Sequence, residues 1–212
     1  PTQTEIILEQ IPAGESVTVR VSPAGQWVGL LTRSSDSEYL TLTLHQLLFL
    51  GSTVSTGSTR AILTNIQKDV YIYLASFSWK NENQLTWSTR TGIWGVDLTN
   101  DSSEAILLIE PSRNTYEHPG SVDANGNYLP VRTTFRPYSW SPDGRYLIAR
   151  EDAYEGGTFR VIEHETNRTV AIPDANYGVY SDALIWVTNN SFLHFNGTIT
   201  HWQVQAEEPF AL

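Results

Sequence analysis

Four acidic residues in the second half of the chain, Glu151, Asp152, Glu155 and Asp182, are the side chains best suited to chemistry. Hydrolysis of a glycoside needs two carboxyl groups held about 5–10 Å apart, one with a pKa raised so that it can donate a proton. Carboxylate oxygens also bind Ca²⁺, but the spacing of these four matches no standard calcium loop. Whether two of them face one another depends on the elements that carry them.

Other catalytic and cofactor chemistries have no matching pattern in the sequence. The chain has no Cys, which excludes disulfides and thiolate metal sites. It has no Gly-x-Ser-x-Gly nucleophile turn and no phosphate-binding Gly-rich loop, and no two His stand at the i, i+4 spacing of a helical zinc site. We therefore predict no catalytic residue, no metal site and no cofactor, and we leave open whether the protein is an enzyme, with a non-enzyme favoured.

The composition indicates a folded all-β chain with an acidic surface. Of the 212 residues, 40% are hydrophobic and 11% aromatic, and the formal net charge is −10. Aromatic and β-branched residues favour strands. The negative charge argues against a nucleic-acid partner and against adhesion to an anionic membrane. No apolar run reaches the roughly 20 residues of a membrane-spanning helix, so no membrane insertion is expected.

One pattern occurs four times along the chain. Each copy has a large apolar residue, a turn former four positions later and then an apolar run. The copies are VSPAGQWVGLL from Val21, WKNENQLTWS from Trp79, WSPDGRYLIAR from Trp140 and WVTNNSFLHF from Trp186. The turn formers are Gly25, Asn83, Gly144 and Asn190, and both residue types tolerate the positive φ of a tight reversal. Because Trp79, Trp140 and Trp186 occupy equivalent positions, we expect them to pack between repeats rather than to bind a ligand.

Further strands follow each reversal, so each unit has about four strands. A repeated four-stranded unit is typical of a β-propeller. We predict one all-β propeller domain over residues 1–212, with four antiparallel blades that form a complete small ring or a piece of a larger one. The predicted blades are 12–66, 70–110, 137–173 and 182–212, with 1–11 as a candidate ring-closing strand and 111–136 as an insertion.

The insertion at 111–136 is longer than a compact domain normally carries without a function. Within it, DANGNYL at Asp123–Leu129 has Tyr128 where a calcium loop requires Gly, so we predict a turn instead. We expect a hairpin laid over one face of the propeller. Its second-rank candidates for partner contact are Tyr116, His118, Arg132 and Arg136.

The third repeat carries the resemblance to a known family. WSPDGRYLIA from Trp140 resembles the repeat of TolB-like propellers, also called the PD40 or WD40-like repeat, in which Trp-Ser-Pro-Asp-Gly and two further residues precede an apolar strand. GIWGVDL, Gly92–Leu98, resembles the third strand of that repeat. The first copy keeps Ser22-Pro23 and Gly25, and the second and fourth keep only Trp and a turn Asn. The resemblance extends from about residue 17 to about residue 205. Two other propeller families do not fit the sequence. The sialidase Asp-box has one residue between its Asp and Gly, whereas Asp143 and Gly144 are adjacent here. True WD40 repeats need Gly-His and Trp-Asp pairs, and neither pair occurs in this sequence.

Propeller topology predicts where the candidate residues lie. The reversal between the first two strands of a blade is on one face, and Asp143 there is expected to cap its own turn. The reversal between the second and third strands is on the opposite face, together with the crossovers between blades. That second face is the predicted ligand or partner surface, although solvated loop residues would give the same pattern. Its candidates are Arg33, Asp36, Arg90, Tyr138, Glu151, Asp152, Tyr154, Tyr180 and Asp182.

Three functions fit this pattern. The resemblance implies a non-catalytic scaffold that binds a protein or peptide, because TolB members mediate protein contacts in the bacterial envelope. A carbohydrate-active propeller with paired carboxylates at the channel mouth is the first alternative. The second is an accessory propeller of a hydrolase whose catalytic domain lies outside this sequence. Because the chain has no Met, even at position 1, we expect a processed piece of a longer protein, with a periplasmic, cell-surface or secreted location favoured.

Overall fold

The computed structural model shows a chain built from β-strands. It describes residues 8, 10, 15–33, 40–51, 53–62, 77–89, 91–100, 104–153, 156–176, 183–195 and 198–204. These residues form 17 strands and no helix. The described part of the chain therefore contains no helix that is long and apolar enough to cross a membrane.

Strands that follow one another in sequence pair antiparallel in four successive sheets. The first sheet has the order β1 (Ser16–Val21), β2 (Trp27–Arg33), β3 (Leu40–Leu50) and β4 (Thr53–Ile62). The second has β5 (Phe77–Asn81), β6 (Gln84–Thr89), β7 (Gly92–Asp97) and β8 (Ile106–Ile109). After the two-stranded sheet of β9 (Thr115–Val122) and β10 (Tyr128–Arg132), the third has β11 (Thr134–Trp140), β12 (Tyr146–Ala153), β13 (Gly156–Glu163) and β14 (Arg168–Asn176). The fourth has β15 (Ala183–Thr188), β16 (Ser191–Phe195) and β17 (Ile199–Gln203). The predicted all-β class with four-stranded antiparallel sheets is confirmed.

Each sheet packs face to face on the next, and the apolar core lies between them. Period-two alternation directs the side chains of each strand to two opposite faces. One core cluster joins the first and second sheets through residues such as Leu42 and Phe77, which are fully buried. A second joins the second and third sheets around Ile93 and Leu147. The third cluster joins the third and fourth sheets, with Phe192 fully buried at its centre.

Trp residues at the repeat positions connect neighbouring sheets, as their equivalence predicted. The indole Nε1 of Trp79 donates to the carbonyl oxygen of Arg20 at 3.3 Å, and that of Trp186 donates to the carbonyl of Ser139 at 3.2 Å. Trp140 donates to the hydroxyl of Thr86 at 2.9 Å. In each case the Trp reaches the preceding sheet. A large apolar ring and one hydrogen bond thus hold each junction.

The first strands of three sheets meet around one carbonyl group. The guanidinium of Arg20 on β1 donates to the carbonyl oxygen of Tyr138 on β11 at 3.1 Å. The hydroxyl of Ser78 on β5 donates to the same oxygen at 3.4 Å. Burial lowers the pKa of Arg20, opposed by its interaction with Tyr138. The first and third sheets are therefore tied directly to each other.

Among the described residues, these four sheets do not close into a ring. The candidate closing strand at 1–11 lies outside the described residues except for positions 8 and 10. The fourth sheet has three described strands. The described array is therefore open, with the first and fourth sheets at its two ends.

Candidate functional site

The insertion between the second and third sheets forms a hairpin with an exposed apolar surface. In the β9–β10 hairpin, Thr115–Arg132, Val131 pairs with Tyr116 and Tyr128 pairs with Val122. Val122, Tyr128 and Leu129 are 48%, 54% and 46% exposed. These three residues form what we call the hairpin tip, in which Val122 and its partner Tyr128 share one side while Leu129, the residue after Tyr128, lies on the other. Large exposed apolar side chains on an ordered element are a usual mark of a contact surface.

The loop of this hairpin is a turn closed by Asp123, as predicted. One carboxylate oxygen accepts the backbone N–H of Asn125 at 2.8 Å and that of Asn127 at 2.9 Å, and the Asn127 side chain donates to the other oxygen at 3.0 Å. Gly126 takes a φ of 83°, which favours glycine. Side-chain and backbone hydrogen bonds from Asn127 lower the pKa of Asp123 despite a small opposing effect of burial. Its oxygens are thus occupied by the turn itself.

Glu151, the first candidate acid, holds both ends of this hairpin. The carboxylate lies at the far end of β12 and is 4% exposed. Its Oε1 accepts hydrogen bonds from the Thr133 hydroxyl at 2.6 Å, from the Asn114 amide at 2.8 Å and from the Ser112 hydroxyl. Oε2 pairs with the guanidinium of Arg160. Ser112 and Asn114 precede β9 while Thr133 follows β10, so one buried carboxylate fastens the hairpin to the third sheet. We call these five residues the Glu151 cluster.

The hydrogen bonds of this cluster decide the charge of Glu151. Burial by itself raises the pKa of a carboxyl group, because it disfavours the charged form. Here the donors from Ser112, Thr133, Asn114 and Arg160 together outweigh burial and lower the pKa of Glu151 below its ordinary value. Glu151 is therefore an ionised anchor. A glycosidase acid needs the opposite shift.

Asp152, on the other side of the same strand, forms ion pairs with two arginines. Its Oδ1 accepts a hydrogen bond from the Arg136 guanidinium at 2.6 Å, while Oδ2 pairs with Arg136 Nε. Arg150 approaches Oδ1 at 2.8 Å. Because consecutive residues of a strand point to opposite faces, Glu151 and Asp152 cannot flank one glycosidic bond. These two residues do not supply the carboxylate pair that a carbohydrate-active propeller requires.

Of the other candidates on the predicted face, the structure describes only Arg33 and Tyr138. Arg33 is the last residue of β2 and is half-buried. Tyr138, expected in a crossover, lies inside β11, where its ring contacts Phe159 edge-on at a centroid distance of 5.5 Å. The structure does not bring Tyr138 together with the two acids in one open surface. The remaining candidates lie outside the described residues: Asp36, Arg90, Tyr154, Tyr180 and Asp182. A binding role for this face stays a prediction.

The second-rank candidates of the insertion divide in the same way. Arg132 is exposed at the end of β10, Tyr116 is half-buried on β9, and Arg136 is engaged by Asp152. The His118 side chain is not among those described. Sequence reasoning missed Ser112, Asn114 and Thr133, since short polar residues in a connection carry no distinctive pattern.

A polar cleft of about 380 Å³ lies beside the Glu151 cluster. Its walls are Ile109 and the connection 110–114 on one side and the reversal between β13 and β14 on the other. The backbone N–H of Glu110 donates to the Asn167 side chain at 3.1 Å, which fixes one wall to the other. No group of three or more His, Asp or Glu among the described residues is arranged to hold a metal ion. The residues that line the cleft are mostly polar.

The sheets and their packing define an all-β array of propeller type. No family model matches the chain, and no curated protein matches it, so the resemblance to TolB-like propellers is not confirmed. Among solved structures, the chain is similar to a chain from a structural and mechanistic study of two prolyl endopeptidases, with a TM-score of 0.51 at 13% identity. The likeness covers 92% of this chain and 26% of that one. At this identity it shows the fold alone, and the chain spans about a quarter of the length of its structural neighbour.

Proposed function

We propose that this chain is a non-catalytic propeller-type scaffold that binds a protein or peptide through the tip of its β9–β10 hairpin. The observation that carries the proposal is the exposure of Val122, Tyr128 and Leu129 on an insertion whose two strands form a sheet of their own. Membership of the TolB-like family, and with it a bacterial envelope or secreted location, belongs to the same proposal. That part is supported by the WSPDGRYLIA repeat from Trp140.

The chemistry of the tip favours a macromolecular partner. Tyr is enriched in protein interfaces because its ring buries a large area while its hydroxyl stays satisfied by a hydrogen bond. Tyr is also one of the residue types enriched among the few positions that supply most of the free energy of binding in typical interfaces. The Glu151 cluster supports this role, because a hairpin fixed at both ends loses less conformational entropy on binding. We therefore expect the tip to act as a fixed arm.

Catalysis by the described acids is disfavoured on electrostatic grounds. The pKa of Glu151 is lowered rather than raised, and Asp152 is paired with two guanidinium groups. Hydrolysis of a carbohydrate on the predicted face would therefore have to rely on residues other than this pair.

A random-peptide library displayed on phage tests the proposal without a known partner. The chain is immobilised for selection, and enriched peptides are assayed against Tyr128→Ala/Leu129→Ala and against the control Leu50→Ala, which alters an exposed Leu on another hairpin. Loss of the two tip anchors should weaken binding at least tenfold, while the control binds as the wild type does. Failure to enrich peptides, or equal binding by the double variant, would contradict the proposal.

An accessory propeller of a peptidase is the second candidate, and the likeness to a prolyl endopeptidase favours it. That likeness covers 26% of the endopeptidase chain, a share that suits one module of a larger enzyme. Sequencing of the gene on both sides of this segment is the test. A serine-hydrolase domain in the same reading frame would support this candidate, and stop codons on both sides without such a domain would remove it.

A further inference from the structure

The turn between β1 and β2 holds a carboxylate that comes from the next sheet. Glu82 lies at the tip of the β5–β6 turn and is half-buried. Its Oε1 accepts hydrogen bonds from the Ser22 hydroxyl at 2.6 Å and from the backbone N–H of Gln26 at 3.0 Å. The backbone N–H of Ala24 donates to the other carboxylate oxygen. Three donors of one turn therefore converge on a single carboxylate of another sheet.

The turn between β11 and β12 holds a carboxylate in the same way, but the carboxylate is its own. Oδ1 of Asp143 accepts hydrogen bonds from the Ser141 hydroxyl at 2.7 Å and from the backbone N–H of Arg145 at 3.1 Å. Counted along each turn, Ser141 corresponds to Ser22 and Arg145 to Gln26. The same two donors thus bind a carboxylate in the first unit and in the third.

The two turns also agree in their other hydrogen bonds. In each, the hydroxyl of the first Ser accepts the backbone N–H of the residue five positions later at 2.9 Å. The carbonyl oxygen of that Ser accepts the backbone N–H of Gly25 at 2.9 Å in one turn and of Gly144 at 2.8 Å in the other. The difference is at the position of Asp143, where the first unit has Ala24 and therefore no carboxylate of its own.

The turn of the following unit complements this difference in charge. The two residues at the tip of the β5–β6 turn are Glu82 and Asn83, and those at the tip of the β15–β16 turn are Asn189 and Asn190. The turn without an acid is thus followed by a unit with Glu82, and the turn that contains Asp143 is followed by a unit with an uncharged residue there. Two carboxylates on one set of donors would repel each other, so each turn has use for one.

We propose that the β1–β2 turn is a carboxylate-binding site, which Glu82 fills in place of the Asp that the turn lacks. Backbone N–H groups that point toward one place form a concavity for an anion, and their hydrogen bonds to a charged acceptor are stronger than those to a neutral one. The donors bind the carboxylate group, whichever segment or molecule carries it. A small free carboxylate therefore binds to the turn once the Glu82 side chain is removed.

An NMR titration with sodium acetate tests the site directly. The amide signals of Ala24 and Gln26 are followed at constant ionic strength, with sodium chloride alone as the reference. In Glu82→Ala both signals should move along a saturating curve, and in the wild type they should stay in place because Glu82 fills the site. The amide of Arg145 should respond in neither protein, since Asp143 occupies its turn. Signals of Glu82→Ala that move no more with acetate than with chloride would overturn the carboxylate site.

Transfer of the carboxylate into the turn tests the exchange of Glu82 for Asp. Glu82→Ala should lower the midpoint of urea unfolding by about 0.5–1 M, because hydrogen bonds to a charged group are lost. Glu82→Ala/Ala24→Asp should regain most of that loss and should no longer respond to acetate. Glu104→Ala removes an exposed carboxylate elsewhere and should keep the wild-type midpoint.

The single variant Ala24→Asp completes the comparison. Ala24→Asp should raise the midpoint less in the wild type than in the Glu82→Ala background, because two carboxylates then compete for one set of donors. An equal effect of Ala24→Asp in both backgrounds would overturn the exchange. A Glu82→Ala midpoint that matches the wild type, or a double variant no more stable than Glu82→Ala, would overturn it as well.

Discussion

Glu151 shows how far a residue type can be interpreted before its surroundings are known. The sequence places an acid at the end of an apolar run, which suits a ligand surface or a catalytic pair equally well. The role of Glu151 depends on hydrogen bonds from Ser112, Asn114 and Thr133. These residues are distant in sequence and reach the carboxylate only because the hairpin returns to the third sheet. The contact with Arg160 is the exception, since β12 and β13 are adjacent and their antiparallel register brings the two residues near each other.

We predict that the Glu151 carboxyl group titrates below its ordinary pKa of 4.5 in the folded protein. Burial opposes ionisation, but the donors of the cluster stabilise the carboxylate more strongly. Because the folded pKa is lowered, the cluster stabilises the protein fully above the unfolded value, and this contribution is lost as pH falls through the folded pKa. Carbon-detected NMR of the carboxyl signal, assigned with Glu151→Gln, measures the midpoint. A midpoint above 4.5 would show that burial dominates and would restore Glu151 as a candidate acid.

The turn between the first two strands of each sheet shows what a repeat alignment predicts about an element and what it does not. In the first and third units, Gly25 and Gly144 take φ values of 79° and 70°, as predicted. In both, the backbone N–H of the Gly donates a hydrogen bond to the backbone carbonyl oxygen of the Ser three residues earlier. The second and fourth units instead close through shorter reversals, with Asn81 paired to Gln84 and Thr188 paired to Ser191.

Asn83 and Asn190 do not use the positive φ that Asn tolerates, since Asn167 is the non-glycine residue with positive φ among those described. Alignment puts each Asn level with a Gly, but the two-residue reversals there close without a left-handed residue, although the favoured two-residue hairpin turns use one. In both, the strand before the turn carries a register shift, between Trp79 and Asn81 and between Trp186 and Thr188. Position in a repeat thus predicted a reversal in every unit but not its backbone geometry.

Replacement of Gly25 by Ala should lower the free energy of unfolding by about 1 kcal/mol, because an L-residue is strained at positive φ. No atom lies within 4 Å of an added Cβ, so the cost comes from the backbone conformation alone. Asn83→Ala is the matched control and should change stability by no more than about 0.5 kcal/mol. Urea unfolding monitored by Trp fluorescence measures both. Equal effects of the two substitutions would mean that the reversals are not distinct in solution.

At the scale of the whole molecule, the sequence predicted the sheets better than their assembly. Four repeats with apolar runs were enough to predict four antiparallel sheets, and a long polar connection was enough to predict a hairpin. Ring closure was not predictable in the same way, since it depends on the faces of the end sheets and on segments outside the repeats. Val21 is 55% exposed at the repeat position where Trp79 and Trp140 are buried, a difference that the sequence alone does not show.

One buried carboxylate, Glu151, fixes the proposed binding arm to the stack of sheets. Hydrogen exchange across the whole chain tests it most directly, in the wild type, in Glu151→Gln and in the control Glu110→Gln, whose carboxylate forms an exposed ion pair with Arg113. Loss of the Glu151 charge should speed exchange at the base of the hairpin, at the amides of Asn114 and Thr133, while the β12–β13 pairing stays protected. The control should match the wild type. Unchanged protection of those two amides in Glu151→Gln would contradict the claim that this residue anchors the arm.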